Sequence, residues 1–294
     1  MIRFSKYLWL YVLISALVLV PGMYSLVRFG FRKSVDFTGG TLLELLFTKP
    51  VEEKILTDVA QKQNILVASI QRSGDTTYIL RIKPESNENI SRLKDMVERE
   101  SSSTATVLRQ ETVGPVLGQE LLAKAIVAAI LAIVCILGYV AYAFKNIKFG
   151  VSAIIALIHD LFVVVGVFSL LGVWKGVEVD TLFVTAFLTT MSFSVHDTIV
   201  VFDRIREYRR RDEKTPFDQI ADRALTETMG RSLTNSFTII FMLLALILMG
   251  GETVRWFVVA LLVGTISGTY SSPFVATPIL ILWDRWERRK KKIS

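Results

Sequence analysis

The stretch "FGVSAIIALIHDLFVVVGVFSLLGVW", Phe149 to Trp174, is a long apolar run that only the adjacent pair His159 and Asp160 interrupts with titratable groups. About 20 apolar residues in a helix are enough to cross the roughly 30 Å hydrocarbon core of a bilayer. The stretch therefore predicts a membrane-spanning helix with two titratable side chains in the membrane interior.

Five further apolar runs flank this one along the chain: residues 7–27, 125–144, 181–202, 232–251 and 256–283. The run at 181–202 carries a second pair, His196 and Asp197, and the last run contains Pro273 and Pro278, which predict a tilt or a kink. Hydrophobic residues make up 52% of the 294 and the mean hydropathy is +0.47, too apolar for an ordinary globular surface. We predict an α-helical polytopic membrane protein with six transmembrane helices.

Basic residues concentrate in alternate segments between these runs. They are Lys145 and Lys148; Arg204, Arg206, Arg209, Arg210, Arg211, Lys214 and Arg223; and Arg285, Arg288, Arg289, Lys290, Lys291 and Lys292. Because excess Lys and Arg in short loops stay on the cytoplasmic side, both termini are predicted to be cytoplasmic. The first run is too long for a signal-peptide core and lacks a small-residue cleavage pattern, so we interpret it as a retained anchor.

This topology predicts three parts of the chain. Residues 1–29 form a tail and the first span, residues 30–118 an extracytoplasmic domain, and residues 119–294 the other five spans. The last part includes a basic cytoplasmic loop at 203–231, expected to hold an amphipathic helix along the membrane surface, and a basic tail. The net charge of +7 therefore comes mostly from the basic residues that determine the membrane topology. A nucleic-acid partner is disfavoured because these basic residues adjoin the membrane-spanning runs.

The external segment alternates strand and helix patterns. Strand patterns occur at 41–47, 66–73, 76–82 and 104–113, and helical spacing occurs at 51–63 and, after a capping Ser86, at 87–100. The order β-α-β-β-α-β is that of a ferredoxin-like α+β fold. The domain contains neither histidine nor cysteine. We therefore expect it to bind another molecule or to transmit mechanical force, and not to catalyse a reaction.

Several classes of chemistry are excluded by residue inventory. Two histidines and one cysteine, Cys135, lie on separate runs and do not make a zinc site. No phosphate loop of the GxxxxGK[ST] type occurs, and neither aspartate pair lies in a GxGD sequence. We therefore expect no metal, no cofactor and no enzyme in the narrow sense.

Four motifs in order carry a family resemblance: "SVDFTGGT", "ETVGPVLGQEL", "ALIHD" and "SVHDTIVVFDRIRE". With six spans and a large first loop, they resemble the SecF branch of the SecD/SecF protein-export family, in the RND superfamily. That family usually has Asn where His196 stands and often Gly where Ser34 stands.

The resemblance implies a subunit of the bacterial cytoplasmic (inner) membrane that drives late-stage protein export with the proton-motive force. Implied partners are SecD, the SecYEG channel, YajC, unfolded exported polypeptides and the lipid bilayer. Two other functions stay open: half of an RND-type small-molecule or lipid exporter, and a structural scaffold of the translocon whose buried charges only fix helix register.

Asp197 and Arg231 are the first candidates for proton transport, because ionisable groups within a span are costly and usually functional. Asp197 lies six residues before Asp203, or about 9 Å along a helix, and Arg231 begins the uncharged stretch of the fifth run. The pair fits either a proton switch operated by movement of the arginine, or a static ion pair between helices. The resemblance assigns both positions to proton transport.

Three further titratable groups leave alternatives open. Asp160 lies about 16 Å into its run and either relays protons or satisfies a polar network with threonines of the fourth run, and His159 adjoins it. His196 points about 100° away from Asp197 on the helix. It either extends a water-lined path or packs as a satisfied histidine.

The motif from Asp36 and Phe37 to Gly39 and Gly40 leaves the outer end of the first span, and its glycines permit backbone conformations that other residues forbid. Its counterpart at the return to the second span comprises Gly114, Pro115 and Gly118. We expect both motifs to be structural joints that transmit movement of the spans to the domain.

Overall fold

The computed structural model describes residues 4–143, 146–212 and 214–293. The chain divides into two compact units, one of residues 1–32 and 128–294 and the other of residues 33–127. Phe144, the predicted end of the second run, and Lys145 in the basic loop after it lie outside the described residues.

Ten α-helices and four strands follow one another in the described part of the chain. In order they are α1 (Leu8–Phe29), α2 (Val35–Thr38), β1 (Gly40–Phe47), α3 (Glu53–Lys62), β2 (Val67–Arg72), β3 (Thr77–Ile82), α4 (Asn87–Ser101), β4 (Ala105–Val113), α5 (Pro115–Ala143), α6 (Ile147–Lys175), α7 (Thr181–Arg211), α8 (Phe217–Met249), α9 (Glu252–Ser271) and α10 (Thr277–Ile293). A 3₁₀ turn (Phe4–Lys6) precedes α1, and a π-helical segment (Ser272–Ala276) joins α9 to α10.

Six helical segments in the described ranges are long and apolar enough to cross a membrane. They are Leu8–Phe29, Pro115–Val140, Ile147–Lys175, Thr181–Arg211, Phe217–Met249 and Val254–Lys290. The predicted number and order of the spans are confirmed. The π-helical segment begins where Pro273 follows Ser272, because proline lacks the N–H that would continue the α-helical hydrogen bonds.

The unit of residues 33–127 contains a four-stranded sheet in the order β2-β3-β1-β4, and every neighbouring pair is antiparallel. This is the strand order of the β-α-β-β-α-β pattern, so the predicted ferredoxin-like fold is confirmed. The N-cap of α4 is also as expected, since the Ser86 hydroxyl accepts from the Asn89 amide at 3.3 Å.

A core of its own stabilises this unit. Alternate residues of β3, including Tyr78 and Leu80, turn inward and meet Leu43 of β1, Leu56 of α3 and Leu93 of α4. The Tyr78 hydroxyl is satisfied by the Val51 carbonyl at 2.5 Å, so the buried phenol carries no unpaired oxygen. The sheet thus buries one face under α3 and α4, as an α+β layer requires.

In the other unit, α1 packs against α6 through small residues. A Cβ added at Gly22 would lie 2.8 Å from the Gly166 Cα, and the Ser25 and Ser169 hydroxyls are 2.9 Å apart. The same close packing recurs between α7 and α9, where a Cβ on Gly268 would lie 3.1 Å from the Ser194 Cα. Such small residues let transmembrane helices approach closely.

The segment at 203–231 differs from its prediction as a loop with a separate surface helix. Instead, α7 continues to Arg211 and α8 begins at Phe217 and runs on into the fifth span. Phe217, Ile220 and Leu225, whose spacing indicated an amphipathic helix, are buried in the core of the bundle. The amphipathic pattern is real, but its apolar face is covered by protein.

The second span also begins earlier than predicted. Helix α5 starts at Pro115, ten residues before the apolar run at 125, because proline suits the first turn of a helix. The motif from Gly114 to Gly118 therefore lies at the helix start, where the Gly118 amide donates to the Gly114 carbonyl at 2.9 Å. It is an ordered helical turn and not a loop.

Candidate functional site

Asp160 lies in the middle of α6 and is 4% exposed. Its carboxylate accepts hydrogen bonds from the Ser267 hydroxyl at 2.6 Å and the Ser271 hydroxyl at 2.5 Å. These serines are four residues apart on α9 and so share one face. A buried carboxylate needs such donors, because leaving it unpaired in an apolar interior is costly.

The donors to Asp160 come from α9, whereas the expected polar network relied on threonines of the fourth run. That expectation is wrong in its choice of helix. Thr198 of α7 instead pairs its hydroxyl with that of Ser272 at 2.9 Å.

His159 is buried beside Asp160, with 3.1 Å between its Nδ1 and the Asp160 Oδ1. Its ring lies 6.2 Å from that of Tyr270, whose hydroxyl donates to the Tyr11 carbonyl at 2.9 Å. The His159 Nε2 has no hydrogen-bond partner among the described residues. The histidine therefore contacts Asp160 of its own helix through Nδ1 and meets α9 through its ring contact with Tyr270, and its Nε2 has no partner among the described residues.

Asp197, on α7, is partly buried and lines a small pocket between α7, α8 and α9. Its volume is about 280 Å³, the open mouth included. Hydroxyl-bearing residues of α8, α9 and the π-helical segment line it with Asp197, namely Thr228, Ser232, Thr269 and Ser272. The carboxylate thus faces groups that can donate or accept a proton in a hydrogen bond.

Arg231 does not form an ion pair with Asp197 among the described residues. Its side chain is exposed and lines another pocket, with Asp203 and the ion pair of Arg204 and Glu227. The static ion pair left open by the sequence is therefore not present.

His196 is exposed on the outer face of α7. It is not packed in the interior of this chain. Its two predicted roles, extending a water-lined path or packing as a satisfied histidine, stay predictions.

Adjacent serines of α9 and the π-helical segment bring the two aspartate sites together. Ser271 donates to Asp160, and Ser272 both contacts Thr198 and lines the Asp197 pocket. The sequence reasoning overlooked these hydroxyls. The sequence pattern that indicates them is "SGTYSS", residues 267–272, a dense cluster of hydroxyl side chains within an apolar run.

The motif at 34–40 forms one short helical turn, α2, before β1. The Ser34 hydroxyl caps it by accepting from the Asp36 amide at 3.2 Å, and Phe37 is buried at 3% exposure. Gly39 and Gly40 follow with φ values of +72° and +141°, a region of the backbone map that favours glycine. The glycines thus turn the chain from the helical turn into the strand.

The two glycine motifs are packed against each other by backbone. A Cβ on Gly39 would lie 2.6 Å from the Pro115 Cα, and one on Gly118 would lie 2.9 Å from the Gly39 nitrogen. Around Gly114 there is open space. The contact therefore depends on Gly39 and Gly118, which fasten the start of β1 to the start of α5.

Sequence comparison finds two family matches. Residues 93–286 match the family described as protein export membrane protein SecD/SecF, C-terminal, and residues 24–51 match the SecD/SecF GG motif. The second range contains Gly39 and Gly40.

Two curated relatives are similar over nearly the whole chain, and both are named protein translocase subunit SecF. The one from Thermobaculum terrenum is 41% identical and the match covers 97% of this chain and 94% of that protein. The one from Anaerolinea thermophila is 37% identical, with 96% and 94% covered.

A solved structure has the same fold. The crystal structure of SecDF from Thermus thermophilus, described as a translocon-associated membrane protein, superposes with a TM-score of 0.85 at 32% identity. The match covers 97% of this chain and 39% of that longer one. The bundle and the α+β unit therefore have a counterpart in an experimental structure.

Proposed function

Because this chain belongs to the SecD/SecF family of protein-export membrane proteins, we propose that it works with SecD as a motor driven by the proton-motive force. As a SecF subunit of the protein translocase, it is a multi-pass membrane protein and a transport subunit, and not a classical enzyme. In the proposal, the pair drives the late stage of export through the SecYEG channel.

The proposed partners are SecD, SecYEG, YajC and the exported polypeptide. Support for SecD comes from the SecDF structure, in which a region like this chain occupies 39% of one longer polypeptide. The proposed location is the bacterial inner membrane with both termini in the cytoplasm, which the distribution of Lys and Arg supports. The relatives' names support protein export over export of small molecules or lipids.

One observation carries the proton-driven part of the proposal. Two carboxylates within the spans, Asp160 and Asp197, lie beside one run of hydroxyls that contains Ser271 and Ser272. Membrane-embedded carboxylates are costly and commonly belong to proton relays, and hydroxyls both donate and accept hydrogen bonds. In our proposal these groups pass a proton between the two aspartates.

The remaining candidate residues have supporting roles in this proposal. His159 orients the Asp160 carboxylate, while Arg231 and His196 are the basic side chains that bias the charge of Asp197. Movement of α8 relative to α7 would change the distance of Arg231 and thereby the affinity of Asp197 for a proton. The contact of Gly39 with Gly118 would pass movement to the α+β unit.

Protein export into sealed membrane vesicles, with and without a proton gradient, tests the proposal. Asp197→Asn is expected to remove the gradient-dependent part of export and leave the gradient-independent part. The reason is that an amide fills the same space but cannot take up and release a proton. Asp203→Asn is the matched control, because it makes the same change at an exposed position of the same helix.

The assembled complex must be present at equal amounts in all three samples. If Asp197→Asn retains full gradient dependence, Asp197 is a packing residue and the scaffold function replaces the motor. If Asp203→Asn loses the gradient-dependent part as well, the effect belongs to the charge of α7 and not to Asp197.

A further inference from the structure

Helices α7 and α9 meet along a row of small and hydroxyl-bearing residues. The contacts of the row are Thr190 with Gly264, Ser194 with Gly268, and Thr198 with Ser272. Successive contacts are four residues apart on both helices, and their numbers rise together, so α7 and α9 run in the same direction. A row that repeats at every turn presents a similar surface after a displacement of one turn, about 5.4 Å.

The hydroxyl of Ser194 is the exception within this row. Ser194 is 1% exposed, and its Oγ has no hydrogen-bond partner in the part of the chain that the structure describes. By contrast, the Thr190 hydroxyl donates to the Phe187 carbonyl at 2.8 Å. The Thr198 hydroxyl pairs with that of Ser272. A buried hydroxyl without a partner is costly, so its presence at the contact between two helices requires an explanation.

A displacement of α9 by one turn toward the start of α7 supplies this partner, because Ser272 then lies beside Ser194. The opposite displacement would place Ser272 against Phe202, a large side chain that is fully buried. The row is therefore open to sliding in the first direction. The other contacts of the displaced row again join small or hydroxyl-bearing residues, namely Ala186 with Gly264, Thr190 with Gly268, and Thr198 with Ala276.

The same displacement changes the donors to Asp160. Ser267 and Ser271 donate to its two carboxylate oxygens, and they too are four residues apart on α9. After one turn, Ser271 takes the place of Ser267, and Val275 takes the place of Ser271. His159 stays beside the carboxylate, because both belong to α6. One hydroxyl donor in place of two stabilises the ionised carboxylate less, which favours uptake of a proton.

The contacts at the far end of α10 permit this movement. Because α9, the π-helical segment and α10 follow one another without a break, α10 moves with α9. Its ion pairs join Arg285 to Asp218 and Lys148 to Glu287, and all four side chains are partly exposed. Ion pairs of exposed side chains contribute little to stability, so their loss costs little.

We propose that α9 slides by one turn along α7 between two registers, with Asp160 ionised in the first and protonated in the second. In the first register, which is that of the structure, Ser272 pairs with Thr198; in the second, it pairs with Ser194. One-turn displacements of one helix past another are a recognised form of switching, because packed interfaces have discrete arrangements. The inference concerns the regulation of the proposed proton site and rests on the proposed function only for its link to the proton gradient.

Disulfide formation between α7 and α9 distinguishes the two registers. Thr198→Cys with Ser272→Cys reports the first register, and Ser194→Cys with Ser272→Cys reports the second, each with Cys135→Ser. A displacement of one turn carries the two Cα atoms beyond the about 7 Å that a disulfide can bridge. In sealed membrane vesicles that contain the assembled complex, the first pair should cross-link without a gradient. The yield of the second pair should rise severalfold when a proton gradient is applied.

Asp160→Asn tests the link to the carboxylate without any gradient. The amide is neutral, as the protonated acid is, so the second pair should cross-link severalfold more in this variant than in the parent. Thr190→Cys with Ser272→Cys, two turns out of the first register, is the matched control. It should give no cross-link under any of these conditions.

Ser194→Ala removes the partner of Ser272 in the second register and no hydrogen bond from the first. The midpoint of thermal unfolding should therefore not fall, whereas gradient-dependent export should fall severalfold. Ser152→Ala is the matched control, because the Ser152 hydroxyl is also buried without a partner among the described residues, but on α6 and outside the row. It should leave gradient-dependent export unchanged.

Three results would overturn the proposal. They are a second pair whose yield does not rise in Asp160→Asn, equal cross-linking of the control pair, and unchanged gradient-dependent export in Ser194→Ala. Cross-linking of the control pair would mean that α7 and α9 separate instead of sliding. A second pair that responds to Asp160→Asn but not to the gradient supports the two registers and counts against the proposed motor, so the two failures are distinguishable.

Discussion

At the scale of single residues, Gly39 and Gly118 show how a missing side chain becomes a structural requirement. Gly39 has a φ of +72° and lies against the backbone of Pro115, and Gly118 lies against Gly39 in turn. Atoms of a backbone cannot rotate away as the end of a side chain can. A methyl group at either position must therefore displace the start of β1 or of α5.

Alanine at these two glycines is expected to destabilise the protein. Gly118→Ala should cost about 1–3 kcal/mol from overpacking, and Gly39→Ala should cost more, because alanine at positive φ adds about 1–2 kcal/mol. Gly114→Ala is the control with open space around it, expected to stay within about 0.5 kcal/mol. Thermal unfolding of the purified chain measures all three; equal midpoints for Gly118→Ala and Gly114→Ala would contradict the packing argument.

At the scale of elements, α1 and α6 are held together by small residues and hydroxyls. Gly22 meets Gly166, Ser25 meets Ser169, and the Ser169 hydroxyl also lies 2.9 Å from the Gly30 carbonyl at the end of α1. Lipid provides no hydrophobic drive for helix association, so close van der Waals contact and interhelical hydrogen bonds must supply it. The contact thus anchors the first span, which precedes the α+β unit in the chain, to the rest of the bundle.

Gly166→Ala is expected to separate α1 from α6. The test uses a cysteine pair made by Ser25→Cys and Ser169→Cys, with Cys135→Ser to remove the native thiol. While Gly166 is retained, this pair should form a disulfide under mild oxidation. The yield should fall severalfold when Gly166→Ala is added. Gly150→Ala on the same helix, where a methyl meets nothing within 4 Å, should leave the yield unchanged. An unchanged yield with Gly166→Ala would show that the helices tolerate the methyl group.

At the scale of the whole molecule, the two units have separate hydrophobic cores. Among the described residues, the core of the α+β unit draws on β1, β3, α3, α4 and the start of β4, and it contains no residue of the spans. The bundle core is built from the spans, the start of α8 and Phe4 ahead of α1. A domain can fold alone when its hydrophobic core is formed entirely by its own residues.

Residues 33–113 are therefore expected to fold in water without the spans. Leu43→Ala, which deletes a fully buried side chain, should destabilise that domain by about 2–5 kcal/mol, whereas Leu108→Ala on the exposed side of β4 should cost little. Urea unfolding followed by circular dichroism measures both. A parent domain without a cooperative transition would mean that the spans are needed to complete its fold.

Sequence alone determined the six spans, the β-α-β-β-α-β order, the cap at Ser86 and the four family motifs. These features depend on residues that are close in the sequence. The free energy of transfer of an apolar run into a membrane depends on the run itself, and the periodicity of a strand or helix is a pattern of nearby residues. The same local signal underestimated α7 and α8, because helices continue into polar sequence when a neighbouring helix covers them. It also underestimated α5, which begins at Pro115 ahead of the apolar run.

Tertiary structure alone decided which groups meet. The Ser267 and Ser271 hydroxyls reach Asp160 across more than 100 residues of sequence, Arg231 faces away from the Asp197 pocket, and Gly39 meets Gly118. Many helices in this chain offer a hydroxyl at a suitable depth, so pairing depends on which faces pack together. That choice is made by the close contacts among the spans, and periodicity within one span does not encode it.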